Sequence, residues 1–176
     1  MHRIDVGERL GNVKRNGEVL TAGIDVGSTT TQVVVLADKI ISYSNIPTGG
    51  DSRKTAVAGL QAALEMTGLT EEDIGYVIAT GYGRIMVPFS KKNISEVSCH
   101  ARGSHWLSPE IRTIVDAGGE DFKVMHCNEQ GRVVYFSVSD KCAAGCGRYL
   151  EIMADLLSVP LTEFGTLAQE IENQPP

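Results

Sequence analysis

Residues 23–34 read GIDVGSTTTQVV, and residues 114–125 read IVDAGGEDFKVM, an offset of 91 residues (116 − 25 for the two Asp). Each stretch is an apolar strand ending in Asp, then a small residue, Gly, a polar turn and a second apolar strand. One such turn reads equally well as a plain hairpin. Two copies with matching flanks form an internal repeat, and a repeat carries more information than either half alone.

Working outward, Leu20–Asp25, Thr31–Leu36 and Ile40–Ile46 predict an antiparallel meander of three strands. Ser52–Thr67 has apolar residues at Val57, Leu60, Ala63 and Leu64, a helical spacing that Gly68 ends. Ile74–Ala79 predicts a strand running into the Gly-rich turn Thr80–Arg84. Ile94–Leu107 predicts a helix with Pro109 at its exit. The second repeat then predicts a strand at Arg112–Val115 and a hairpin through Phe122–His126 and Val133–Val138. Tyr149–Leu157 is an amphipathic helix, and Leu161–Ile171 predicts another. The order βββα, βα, βββα implies a mixed α/β fold with two similar lobes. Residues 1–19 form a polar extension, residues 20–110 a first lobe, and residues 111–176 the start of a second.

Between two facing turns of this kind a phosphate is well held. Gly27, Gly118 and Gly119 let the backbone approach an anion and turn N–H groups toward it. Ser28, Thr29 and Thr30 add hydroxyl donors. Asp25 and Asp116, at strand ends, suit the water shell of Mg²⁺, which prefers oxygen ligands and keeps much of its hydration. Glu120 is placed to orient or deprotonate a hydrolytic water. Neither G-x-x-x-x-G-K-[ST] nor a helix-opening G-x-G-x-x-G occurs, so the common alternative phosphate loops are excluded.

Composition narrows the class further. The 176 residues carry 16 Lys and Arg against 22 Asp and Glu, a net charge of −6 scattered along the chain, which argues against a nucleic-acid binder. At 42% hydrophobic residues, the chain has enough apolar content for a packed core. No apolar run approaches the roughly 18 residues that cross a bilayer, and the N-terminus shows no secretory h-region. A cytoplasmic protein is expected, and its four cysteines at 99, 127, 142 and 146 are not expected to form disulfides. Cys99 reads as helix packing, and Cys127 receives no role. The four histidines, at 2, 100, 105 and 126, show no metal-ligand spacing and read as structural or surface residues. Arg84 reads as a phosphate or interlobe contact, or as a plain surface charge.

The paired turns resemble the phosphate-1 and phosphate-2 loops of the actin, hsp70 and sugar-kinase superfamily. More narrowly, GIDVGSTTT (23–31), ATGYGR (79–84), SEVSCHARG (95–103), VDAGGEDFKV (115–124) and DKCAAGCGRYLE (140–151) resemble the BadF/BadG/BcrA/BcrD ATPase family. That family comprises activators of 2-hydroxyacyl-CoA dehydratases and ATPase subunits of benzoyl-CoA reductase. The resemblance runs from about Thr21 to Ala168. It implies an actin-like, ribonuclease H-like fold, complete in its first lobe and incomplete in its second.

The resemblance also implies that two lobes close on ATP·Mg²⁺ and that a [4Fe–4S] cluster lies between the subunits of a homodimer. Asp25, Gly27, Ser28, Thr29 and Thr30 match the first phosphate loop, and Asp116, Gly118 and Gly119 the second. The family usually has Gln where this chain has Glu120, and an acid there adds like charge beside a triphosphate. Cys142 matches the cluster ligand. A thiolate at a helix start is favoured by the helix dipole, which also stabilises an anionic cluster. Cys146, where the family carries a small residue, lies one helical turn on and is either an extra ligand or a packing residue.

The implied partners are a 2-hydroxyacyl-CoA dehydratase or benzoyl-CoA reductase component, with ferredoxin or flavodoxin as electron donor. Family members continue past the equivalent of Pro176, with a further cluster cysteine and a Gly-Gly loop for adenosine. The chain therefore corresponds to an N-terminal portion of the family. Two other readings remain open at this point. One is a metabolite kinase of the same superfamily, for which no substrate base is evident. The other is a non-catalytic or split-gene nucleotide-binding fragment.

Overall fold

Alternation builds the first sheet. In β1 (Leu20–Val26) Ala22, Ile24 and Val26 turn to one face, and in β2 (Thr30–Leu36) Thr31, Val33 and Val35 join them. These six side chains are all nearly or fully buried, and each large one is worth about 1.5–3 kcal/mol to the fold. Helix α1 (Ser52–Glu65) covers that face with Ala56, Leu60, Ala63 and Leu64. Its start is fixed by Asp51, whose carboxylate accepts from the Lys54 N–H at 3.1 Å.

The computed structural model describes residues 19–139 and 147–170. Strand β3 (Ile40–Pro47) pairs antiparallel with β2, and β4 (Ile74–Thr80) returns parallel to β1. With the two-residue β5 (Lys92–Asn93), the five-stranded sheet has the order β3-β2-β1-β4-β5. A second, three-stranded antiparallel sheet has the order β6-β7-β8, from Thr113–Ala117, Phe122–Cys127 and Val133–Val138. Helix α2 (Glu96–Leu107) joins the two sheets and packs on the second one. Helices α3 (Gly147–Leu157) and α4 (Phe164–Gln169) follow.

The internal repeat is visible in the strand register. Asp25 pairs with Gln32 across β1 and β2, and Asp116 pairs with Lys123 across β6 and β7. Both pairs keep the 91-residue offset, so the two hairpins are the same structure built twice.

Three details differ from the sequence reading. Strand β5 (Lys92–Asn93) has only two residues, too few for any alternation to announce, and it is held by backbone bonds from Lys91 and Ile94 to β4 carbonyls. Helix α2 begins at Glu96, because the Ser95 hydroxyl caps it by accepting from the Ser98 N–H at 3.4 Å. The expected helix over Leu161–Ile171 divides into a 3₁₀ turn at Leu161–Glu163 and the short α4, and Ile171 lies outside the described residues. No helix among the described residues is long and apolar enough to cross a membrane.

Candidate functional site

The two Asp-Gly turns face one another across a cleft of about 510 Å³, a volume ordinary for a small-molecule site. Asp25, Gly27, Ser28, Thr29 and Thr30 line one wall; Asp116, Gly118, Gly119 and Glu120 line the other. The turns share one internal bond. The Gly27 N–H donates to the Thr30 carbonyl at 3.0 Å, and the Gly118 N–H donates to the Asp121 carbonyl at 2.9 Å. Those two amides are therefore occupied, which corrects the expectation that they face an anion. The turn-centre amides of Ser28, Thr29, Gly119 and Glu120 are the ones left for it.

The walls touch at Gly119. A Cβ there would stand 2.8 Å from the Ser28 hydroxyl and from Thr29, so only glycine lets the turns approach this closely. Thr48, buried behind the first turn, braces it from the far side. Its hydroxyl donates to the Gly27 carbonyl at 2.8 Å, and its N–H donates to the Thr29 carbonyl at 2.9 Å.

Helix α2 supplies the groups that the sequence reading missed. His100 stands between the two aspartates, with Nδ1 2.8 Å from Asp116 Oδ2 and Nε2 3.4 Å from Asp25 Oδ2. The bonds to Asp116 and then Asp25 outweigh desolvation and push its pKa up to about 10. The same contact holds the Asp116 carboxyl below its ordinary value. His100 is thus a cationic cleft residue, not the structural or surface histidine expected. No sequence spacing reveals this, since its partners lie 16 and 75 positions away.

One helical turn before His100, the Glu96 carboxylate lies 3.6 Å from Lys123 Nζ and 3.6 Å from the Arg84 guanidinium. Lys123 is 6% exposed and also bonds Asp121. Its burial opposes the charge, but Asp121 and Glu96 hold its pKa above the ordinary lysine value. The Tyr82 hydroxyl donates to Asp121 Oδ2 at 2.7 Å, which ties the turn after β4 to the second sheet. Arg84 also donates to the Gly81 carbonyl at 2.8 Å, and so braces that turn. One signal for Lys123 did exist, because by strand alternation it shares a face with the fully buried Met125 and Cys127.

Five carboxylates line the cleft (Asp25, Glu96, Asp116, Glu120, Asp121) against two cations, His100 and Lys123, a balance of 5 − 2 = 3 negative charges. A polyphosphate adds more of the same sign. The carboxylate-rich lining therefore suits a divalent cation with oxygen ligands. Cys142 and Cys146 lie outside the described residues. Cys99 is half-buried in α2, where desolvation raises its thiol pKa, and Cys127 is buried with its thiol toward the Ile111 carbonyl. Among the described residues no cluster of three or more metal-binding side chains occurs.

Comparison with known proteins agrees with this architecture. The chain is 42% identical to the activator of lactoyl-CoA dehydratase of Anaerotignum propionicum, over 89% of this chain and 61% of that one. It is 30% identical to a benzoyl-CoA reductase polypeptide of Thauera aromatica, over 88% of this chain and 56% of that one. The activator of 2-hydroxyisocaproyl-CoA dehydratase from Clostridium difficile, solved with bound ADPNP, superposes with a TM-score of 0.82 at 40% identity. That match covers 89% of this chain and 59% of the other. The fold is therefore the actin-like ATPase fold expected from the paired turns. The chain spans about three-fifths of the length of these relatives. The model of one family covers residues 22–175, both turns and the whole cleft included, and the chain belongs to that family, the BadF/BadG/BcrA/BcrD ATPases.

Proposed function

We propose that this chain is the nucleotide-binding portion of an ATP-dependent activator that delivers a low-potential electron to a 2-hydroxyacyl-CoA dehydratase. The observation that carries the reading is the pair of Asp-Gly turns in identical register on opposite walls of one cleft. Residues 20–110 and 111–176 act as its two lobes. The Ser28, Thr29 and Gly119 amides and the Ser28, Thr29 and Thr30 hydroxyls hold the phosphates, with Gly27 and Gly118 shaping the two turns, and Asp25 and Asp116 hold waters of a Mg²⁺ ion that neutralises the triphosphate. Glu120, exposed at the mouth, orients the attacking water. A dehydratase is favoured over a reductase partner because 42% identity to a dehydratase activator exceeds 30% to a reductase polypeptide.

Glu120 also places a negative charge beside the terminal phosphate. Glu120→Gln is expected to tighten Mg·ATP binding about threefold, the scale of one solvent-screened charge contact. Competition against a fluorescent nucleotide measures the change. Unaltered affinity means that Glu120 points away from the phosphates.

A [4Fe–4S] cluster, shared by two copies of the chain through Cys142 and with Cys146 as a candidate further ligand, supplies the one-electron chemistry. Ferredoxin or flavodoxin is the proposed donor, in the cytoplasm. Cleft closure on nucleotide would move α3, whose Gly147 and Arg148 N–H groups donate to the Gly118 and Gly119 carbonyls, both at 3.0 Å. The start of α3 is thereby tied to the second Asp-Gly turn.

The test is anaerobic reconstitution with iron and sulfide. It should yield about two irons per chain and a reduced-cluster EPR signal absent in Cys142→Ser. ATP-dependent activation of a 2-hydroxyacyl-CoA dehydratase should follow. An iron-free chain that still binds Mg·ATP would leave a nucleotide-binding module and contradict the electron-transfer role.

A further inference from the structure

We propose that Thr48 is a positioning residue of the cleft, whose hydroxyl aims the Ser28 amide at the phosphates. The inference rests on the nucleotide reading of the cleft given above. Thr48 directly follows β3 and is 4% exposed. Its hydroxyl lies 2.8 Å from the Gly27 carbonyl and 2.9 Å from the Thr31 hydroxyl. A hydroxyl has one proton and a carbonyl only accepts, so Thr48 donates to Gly27 and accepts from Thr31. The order of donation runs from Thr31 through Thr48 to Gly27.

A planar trans peptide points its C=O and its N–H in opposite directions. The Gly27 carbonyl is drawn back to Thr48, so the N–H of the same peptide, that of Ser28, turns forward to the cleft that Ser28 lines. A flip of this peptide would put a carbonyl oxygen against the phosphates in place of a donor. Thr48 is itself fixed from two further sides. Its N–H donates to the Thr29 carbonyl at 2.9 Å, and its carbonyl accepts from the Thr55 hydroxyl of α1. The second turn repeats the device with another donor. Gly118 is the repeat equivalent of Gly27 (118 − 27 = 91), and its carbonyl accepts from the Gly147 N–H at 3.0 Å. Both copies thus anchor the same carbonyl from behind, one through a side chain and one through the backbone.

The test compares wild type with Thr48→Val, Thr48→Ser and Thr31→Val. Binding of Mg·ADPNP is read by competition against a fluorescent nucleotide, with urea unfolding in parallel. Valine keeps the shape of threonine without its hydroxyl, so Thr48→Val should lose about tenfold in affinity, the scale of one hydrogen bond to a charged group. Thr48→Ser keeps the donor and should bind like wild type. Thr31→Val removes a buried bond of the same network but leaves the Gly27 contact, so it should keep wild-type affinity even where stability falls. In wild type and in Thr48→Ser, the Ser28 N–H signal in NMR should move downfield as Mg·ADPNP is added.

Wild-type affinity in Thr48→Val, or an equal loss in Thr31→Val, would mean that Thr48 only supports the fold, and would overturn the inference. So would a Ser28 N–H signal that stays in place while wild type binds Mg·ADPNP, an outcome readable even where a variant fails to fold. Wild type that takes up no Mg·ADPNP would instead overturn the nucleotide reading of the cleft, and this role of Thr48 with it.

Discussion

Lys123→Met is expected to lower the free energy of unfolding by about 3–5 kcal/mol, because it leaves two largely buried carboxylates without their shared cation. The Lys123 side chain is 6% exposed, Asp121 8% and Glu96 14%. A methionine fills the same volume, so a cavity contributes little. The loss comes from two carboxylates whose shared cation has gone, with only Tyr82 and Arg84 left to serve them. Urea unfolding measures it. The triple variant Lys123→Met, Asp121→Asn, Glu96→Gln should recover most of the loss, since it removes the uncompensated charges along with the ammonium. A single variant as stable as wild type would mean that the three groups are solvated and their network is ornamental.

Asp116→Asn is expected to reduce Mg²⁺-dependent ATP turnover by about 10–100-fold, the usual cost of removing an outer-shell carboxylate from a metal site. The amide keeps the shape and loses the charge that the water shell of Mg²⁺ requires. It also weakens the bond from His100, now made to a neutral oxygen. Asp25→Asn should have an effect of similar size, because the strand register makes the two positions equivalent. Phosphate release under steady state checks both, with urea unfolding as the control for folding. An effect confined to one aspartate would mean that the cleft is asymmetric in its use of metal.

Much of this architecture is legible in the chain because it is local. The strand of Leu20–Val26 and the helix of Ser52–Glu65 follow from residue spacing alone, and the repeat locates both Asp-Gly turns before any contact is known. What resists reading is long-range. Strand β5 exists only through its bonds to β4. His100 sits in a helix and finds Asp25 from 75 positions away. Tyr82 and Asp121 meet across 39 positions, and nothing in either local sequence encodes the other. Glu96 and His100 come nearest to being readable. Their i, i+4 spacing puts both on one face of α2, but only the docking of that helix on the second sheet shows that the face is the floor of the cleft.

The proposed mechanism needs a cleft that accepts the polyphosphate of ATP only together with a divalent cation. Calorimetric titration of ADPNP into the wild-type chain, once with Mg²⁺ and once with EDTA, tests this directly. Saturable binding with Mg²⁺ that vanishes in EDTA is the predicted result. An affinity unchanged by EDTA, or no binding in either buffer, would contradict the account of the paired Asp-Gly turns as a Mg·ATP site.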